Sequence, residues 1–305
     1  MPDYGHALEF GFFLDPTAGD PAATLALGRE LDELGYDAIG IQDHPYQPAH
    51  YDALALIAVI LGQTERVRVF PDVANLPLRP PAMLAKQAAT LDQLSGGRFA
   101  LGLGAGAFWE GVRAMGGPVL TPPEALAALR EAVALIRAFW RGESLRVRGE
   151  HYRAIGARPG PPPTHEIPIW LGVVGPRALR LTGEIADGWV PSMAYVPPAQ
   201  AMRSNAIVDD AAQAAGRDPA AIRRIYNIGG EFASAAEAGG GDDAQIVGPP
   251  DHWIEVLTRL AIEQGFSGFV LWGEPEETRL RMYIDVVAPA VKARVAAARQ
   301  NAPPQ

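Results

Sequence analysis

At 305 residues, 48% of them hydrophobic and 20% charged, the chain can bury a large core and has the composition of a folded globule, not of a disordered or fibrous chain. It has no cysteine, which excludes disulfide staples, thiolate metal sites and thiol nucleophiles together. A formal net charge of −9 with scattered basic residues argues against nucleic acid as a partner.

The first residues, Met1 to Glu9, include Asp3 and His6 and no long apolar stretch. Neither a signal peptide nor a membrane anchor is expected there, and the expected address is cytoplasmic, with no membrane partner. Strand one reads Leu8 to Asp15; helix one follows from Asp20, an N-cap, with Pro21 at its first position and Gly35 closing it. Strand two is Asp37 to Asp43, with a helix from Asp52 to Gly62, and strand three is Val67 to Asn75, with a helix from Pro81 to Ser95 ended by Gly96 and Gly97. Strand four is Phe99 to Gly106. A turn of helix near Trp109 and an amphipathic helix from Pro122 to Trp140 come next, Leu126, Leu129, Val133, Ile136 and Trp140 sharing one face.

Residues 142–166 break the rhythm with a predicted hairpin (Leu145 to Arg148, His151 to Ala154) and the proline run Pro159 to Pro163. They read as an insertion, a candidate lid, because strands resume beyond them: Ile167 to Val174, Gly188 to Ser192, Ile222 to Phe232 and Gly268 to Trp272. The denser basic stretch from Arg141 to Arg158 is interleaved with Glu143 and Glu150 and reads as solvated surface. Helices are predicted at Pro176 to Ala186, Pro197 to Ala215, Pro250 to Gln264 and Glu276 to Arg299; Gly239 to Gly241 read as a mobile loop and 301–305 as a flexible tail. Eight βα units make an α/β fold, a single (β/α)8 TIM barrel with an insertion between the fourth-strand helix and the fifth strand.

In such barrels chemistry collects at the C-terminal ends of the strands. Those ends carry Asp15, Asp43, His44, Asp72, Asn75, Trp109, Glu110, Gly175, Ser192, Glu231, Trp272 and Glu274. Asp43-His44 is the most informative pair: an imidazole can give or take a proton near neutral pH, and a neighbouring carboxylate can orient or charge it, although a strand-end histidine can equally be held by ordinary hydrogen bonds. Gly102 to Ala107 formally fits G-x-G-x-x-A, but it lies within a fourth strand and is followed by Phe108 and Trp109, not by the long helix a dinucleotide site needs. Glycines there leave room for a flat ring or a neighbouring strand. Gly172 to Arg177 is a strand, a glycine turn and a helix opening on proline, which offers free N–H groups to a phosphate. The six histidines show no H-x-x-x-H or H-E-x-x-H spacing, so no metal is expected.

Three stretches carry a more specific signal: Asn75-Leu76-Pro77-Leu78-Arg79-Pro80-Pro81, Leu84 to Asp92, and Leu94-Ser95-Gly96-Gly97-Arg98 leading to Leu101-Gly102-Leu103-Gly104. With Gly35-Tyr36-Asp37, Gly175 to Leu181, Ala186 to Trp189 and Phe269 to Trp272, the chain resembles the luciferase-like monooxygenase family over most of its barrel. Asp43-His44 is similar to the Asp-His pair of the deazaflavin branch, which uses coenzyme F420. The resemblance implies that Asp43 contacts the ring and His44 sits at its reactive face, and that a non-proline cis peptide at Asp72-Val73 backs the ring. Asn75 and Gly106 are then expected to line the ring pocket, and Val174, Gly175, Pro176 and Arg177 to meet the phosphate. Trp109, Tyr195 and Trp272 are expected around the substrate, with Glu110 as a catalytic acid. In the sugar-phosphate dehydrogenases of the branch a Trp follows the His by a few residues and a Glu stands directly after the strand-four glycines; those places hold Pro48 and Ala107 here, a departure from the sugar-phosphate pattern. Few charged residues are expected around the pocket beyond Asp72, Glu110 and Glu274, so a small, neutral, partly apolar substrate is expected. A homodimer is the expected assembly. An FMN-dependent monooxygenase of the same family, a non-catalytic flavin or deazaflavin carrier, and a metal-dependent barrel hydrolase stay open as alternatives.

Overall fold

The computed structural model describes residues 3–142, 144–235, 239–240 and 244–301. The first repeat shows how local chemistry sets the elements. Phe10, Phe12 and Leu14 bury one face of β1 (Glu9–Leu14). Asp20 accepts the N–H groups of Ala22 and Ala23 to start α1 (Pro21–Leu34), and Gly35, at φ 88°, closes it in the left-handed conformation that glycine adopts without steric cost. β2 (Ala38–Ile41) and α2 (Ala53–Gln63) follow, the latter capped by Asp52. The third strand comes in two pieces, β3 (Arg68–Pro71) and β4 (Ala74–Asn75), divided by a cis peptide bond at Asp72-Val73, where the resemblance implied one.

After α3 (Pro81–Ser95) come β5 (Leu101–Gly104), the short α4 (Trp109–Ala114) and α5 (Pro122–Trp140). The hairpin of β6 (Leu145–Arg148) and β7 (Arg153–Ala157) then stands outside the main sheet. The barrel resumes with β8 (Ile169–Leu171), α6 (Pro176–Ile185), β9 (Gly188–Trp189), α7 (Pro198–Ala214) and β10 (Arg223–Phe232). A small addition not expected from the sequence, β11 (Gly239–Gly240) against β12 (Ile246–Gly248), extends β10. It takes up two of the three glycines read as a mobile loop; the third, like 302–305 of the predicted tail, lies outside the described residues. The chain finishes with α8 (Pro250–Gln264), β13 (Gly268–Trp272), α9 (Glu277–Arg281) and α10 (Ala288–Asn301), the last two joined by a π-helical turn over Met282–Val287 where one continuous helix was expected.

All the strand pairs that make up the ring are parallel, in the order β3-β2-β1-β13-β10-β9-β8-β5-β4. The two ends are pieces of one strand, and Val69 of β3 also bridges Phe99, its N–H donating to the Arg98 carbonyl at 2.9 Å. The sheet therefore closes into a (β/α)8 barrel, which removes the free edges of an open sheet. One residue from each stave fills the interior: Phe13, Ala38, Phe70, Ala100, Trp170, Val190, Ile225 and Val270. Phe70 meets Trp170 edge-on with ring centroids 5.0 Å apart. Gly102 is required by this closure, since a Cβ there would stand 2.1 Å from the Pro71 carbonyl oxygen. Helices pack outside against the larger apolar cluster. None is long and apolar enough to cross a membrane.

Candidate active site

A cavity of about 750 Å³ opens at the C-terminal end of the barrel, between the ends of β2, β4, β5 and β8 and the starts of α5 and α6. β2 delivers Asp43 and His44 to it. Asp43 is buried, and both of its oxygens are taken: Oδ2 accepts the Asn75 N–H at 2.8 Å and Arg79 Nε at 2.6 Å, and Oδ1 accepts Arg79 Nη2 at 2.6 Å. The same guanidinium reaches Asp52 Oδ2 at 2.7 Å. Burial alone would lower the Arg79 pKa, but its bonds to Asp43 and Asp52 reverse this and raise it. Such a forked, charge-assisted pair fixes position as well as charge. Asp43 thus lines the cavity while holding the start of the β4 turn in place, and the residue that saturates it, Arg79, was visible only as one letter of the Asn75 to Pro81 motif.

His44 is half-buried, with its Nε2 3.4 Å from the Gln42 side-chain nitrogen. Aromatic rings surround it: Tyr46 stacks at 5.4 Å, His50 lies at 6.4 Å, and Phe108 approaches edge-on at 5.3 Å. Its pKa is lowered, first by burial and then by the nearby His50, with the Asp43 charge offsetting part of the effect. His44 is therefore neutral at pH 7 and able to accept a proton. Phe108 takes the left-handed conformation at φ 52°, uncommon for an aromatic residue. Tyr46 joins the lining without having been anticipated, and burial followed by the Asp43 charge pushes its hydroxyl up to about 12.

The floor is built by the interrupted third strand. Val73 lines the cavity and fills the space over three glycines, for a Cβ on Gly102, Gly104 or Gly172 would meet its methyl groups at 3.1, 2.8 and 2.8 Å. Gly106, at φ 106°, also lines it, and a Cβ there would collide with Pro77 and Trp109. Beside them Asn75, only 6% exposed, has an Oδ1 atom with no hydrogen-bond partner among the described residues. A buried amide oxygen left bare is costly unless something else binds it. The far wall is the start of α6, where Val174, Gly175, Pro176 and Arg177 all face the cavity. The first intrahelical bond is from Leu179 N–H to the Gly175 carbonyl, so the Arg177 and Ala178 N–H groups precede it and remain available to an anion.

Four expected residues do not reach this cavity. Trp109 lines it, but Glu110, one step of about 100° further round α4, points to solvent and is not placed as the acid. Asp72 turns into the barrel below the floor, toward Gly40 and Asn227, and burial raises its carboxyl to about 7 despite an Asn227 hydrogen bond. Tyr195 and Trp272, 76% and 53% exposed, stand on the β9 to β13 side of the mouth, away from the cavity. Nor does the 142–166 segment cover it. That insertion is tied to the barrel's flank, with Glu131 of α5 accepting three of its N–H groups, and Lys86, Gln93 and Asp92 of α3 holding Gly160, Pro162 and Thr164. Among its described residues none lines the cavity, which corrects the lid expectation. No three His, Asp or Glu side chains among the described residues stand together as a metal site would need.

The sequence profile of the family described as luciferase-like monooxygenase matches residues 3–238. Similar proteins include an F420-dependent glucose-6-phosphate dehydrogenase of Nocardia farcinica (strain IFM 10152), 30% identical over 229 residues that make up 72% of this chain and 68% of that protein. Another of the same name, from Microbacterium testaceum (strain StLB037), is 27% identical over 300 residues, 92% of this chain and 89% of the relative. Among solved structures, an F420-dependent secondary alcohol dehydrogenase in complex with an F420-acetone adduct superposes with a TM-score of 0.82 at 20% identity, covering 94% of this chain and 99% of its own. A coenzyme F420-dependent tetrahydromethanopterin reductase from Methanopyrus kandleri gives 0.80 at 20% identity, with 93% and 99% covered. At these identities the two structures speak for the shared barrel alone.

Proposed function

The chain belongs to the luciferase-like monooxygenase family, and from that membership and the cavity's geometry we propose that it is a coenzyme F420-dependent oxidoreductase acting on a small organic molecule. The observation that carries this reading is the convergence, in one cavity, of a neutral histidine, a glycine-cradled floor with a bare amide oxygen, and an uncapped helix start. The residues fit a flat, polar-edged ring with an anionic arm. Asn75 would meet the ring's edge, Val73, Gly104, Gly106 and Gly172 would seat its face, and the Arg177 and Ala178 N–H groups with the Arg177 guanidinium would hold its phosphate.

When bound, the deazaflavin supplies a carbon that takes up or returns a hydride, which leaves the protein the tasks of binding, orienting and moving the proton. His44 is the proton carrier. Its lowered pKa keeps it basic in form when a substrate hydroxyl must be deprotonated, and the same imidazole returns the proton in the reverse direction. Asp43, expected to hold the ring itself, has both oxygens taken and acts at one remove: by holding the Asn75 N–H and Arg79 it fixes the floor near His44. The reading also takes the protein as a cytoplasmic homodimer of one barrel domain that engages no nucleic acid. The acidic net charge supports the last point, and light scattering on the purified protein checks the assembly.

The deciding experiment is a fluorescence titration of wild type and His44→Ala with the deazaflavin and with FMN. The deazaflavin is expected to bind both proteins within about threefold of each other, while His44→Ala loses turnover by roughly 10²- to 10⁴-fold, the usual size of a general acid–base contribution. Binding of FMN alone would overturn the cofactor assignment. Unchanged turnover in His44→Ala would remove the proton role and leave the binding site standing.

A further inference from the structure

The cavity is electrically lopsided. Asp43 is neutralised by Arg79, and the remaining charged lining residues are Arg177 and Arg180, both on α6. α6 follows β8, three staves round the ring from the β2 end that carries His44. The lysines lie elsewhere, Lys86 on the Gly160 carbonyl and Lys292 on Asp37. The rest of the lining carries no charge and includes Tyr46, Ala107, Trp109, Pro122, Pro123 and Leu126, with Phe108 against the imidazole of His44.

We infer that the substrate is an uncharged alcohol or carbonyl compound with an apolar body, and not a sugar phosphate; this rests on the deazaflavin reading above. A phosphate dianion beside His44 would lose its water with no cation to replace it, and past the His44 imidazole and the single Tyr46 hydroxyl the prolines, Trp109 and Leu126 leave several sugar hydroxyls without acceptors. Reaching across to Arg177 and Arg180 is no solution, because that wall is where the cofactor's own phosphate is held. An alcohol with an apolar body matches the chemistry that is there. Its one hydroxyl meets His44, and its carbon skeleton replaces water over Tyr46, Trp109, Pro123 and Leu126. Oxidation takes a hydride from the carbinol carbon, received by the deazaflavin, and the hydroxyl proton, received by His44 and passed to solvent. The C–O bond becomes C=O and two electrons are transferred.

The test is calorimetry on the protein with and without saturating deazaflavin, titrated with cyclohexanol, 1-phenylethanol and glucose 6-phosphate, followed by turnover of each from the loss of deazaflavin absorbance. The uncharged alcohols are expected to bind and to be oxidised with kcat/KM at least about 100-fold above glucose 6-phosphate. Leu126→Ala is expected to weaken 1-phenylethanol about fivefold, through lost apolar contact. Equal or better binding or turnover of glucose 6-phosphate overturns the inference, and so does failure of both alcohols to bind. If the deazaflavin itself does not bind while the unloaded protein still prefers the alcohols, the cofactor reading fails alone and the specificity stands.

Discussion

The two ends of the barrel treat buried charge in opposite ways. At the N-terminal end charged groups are partnered for stability. Asp32 accepts the N–H groups of Glu65, Arg66 and Val67, Glu9 holds Arg68 and Arg223, and Asp37 takes the Phe10 N–H together with Lys292. At the C-terminal end one pair, Arg79 with Asp43, is saturated, and around it Asn75 Oδ1, Asp72 Oδ2 and Asn227 Oδ1 are left bare. The difference lies in the carboxylates and in what the bare atoms adjoin. At the closed end the acids are paired and the bare atoms, such as Arg223 Nε and His6 Nε2, lie away from the cavity, whereas at the open end Asn75 Oδ1 and the Tyr46 hydroxyl are bare on residues that line it.

Cutting the saturated pair gives the sharpest test of that contrast. Arg79→Ala leaves Asp43 buried and uncompensated, and is expected to cost roughly 3–5 kcal/mol in urea unfolding, with weakened deazaflavin binding because the Asn75 turn loses its anchor. A smaller effect comes from Asp72. Its folded pKa of about 7 lies above the unfolded value, so burial favours the protonated form, and the fold loses stability as pH rises from about 4 to about 7. Asp72→Asn should therefore be more stable than wild type at pH 8, by an amount on the order of a few kcal/mol, and the advantage should vanish near pH 4. Denaturant midpoints across that range measure it; an Asp72→Asn advantage independent of pH would show the carboxyl to be ionised in the fold. The smallest effect is expected at the closed end. Glu9→Gln should cost about 1 kcal/mol or less, as partly exposed ion pairs do, and leave deazaflavin affinity unchanged. A larger loss there would erase the distinction between the two ends.

Much of the fold is legible in the sequence because its punctuation is local. α3, α5 and α8 have the bounds their opening prolines and their terminal glycine or tryptophan imply. Strand ends are less legible: the residues from Gln42 to His44 continue the pattern of β2 but leave the ladder to enter the site, and the third strand breaks at Asp72 and Val73, between β3 and β4. The π turn at Met282–Val287 left no mark on the helical periodicity. At the site, Asp43, His44, Asn75 and the α6 start are legible because they follow strands. What a linear reading lacks is which part of the mouth is open. Tyr195 and Trp272 follow strands just as His44 does, but theirs is the side without the cavity. Trp109 and Glu110 are separated by the phase of a helix whose first residue, after a left-handed Phe108, no capping signal announces.

One guanidinium has a mechanical consequence. Arg79 binds Asp43 at the end of β2 and Asp52 at the cap of α2, so the segment bearing His44, Tyr46 and His50 begins and ends on the same group. Chain statistics give such a tethered ring far fewer arrangements than an open span of equal length. Its outermost residues, Gln47, Pro48 and Ala49, are exposed and can be exchanged with little leverage on the imidazole. Evolution is thereby free to rewrite the rim of the pocket while the proton carrier stays where the floor needs it.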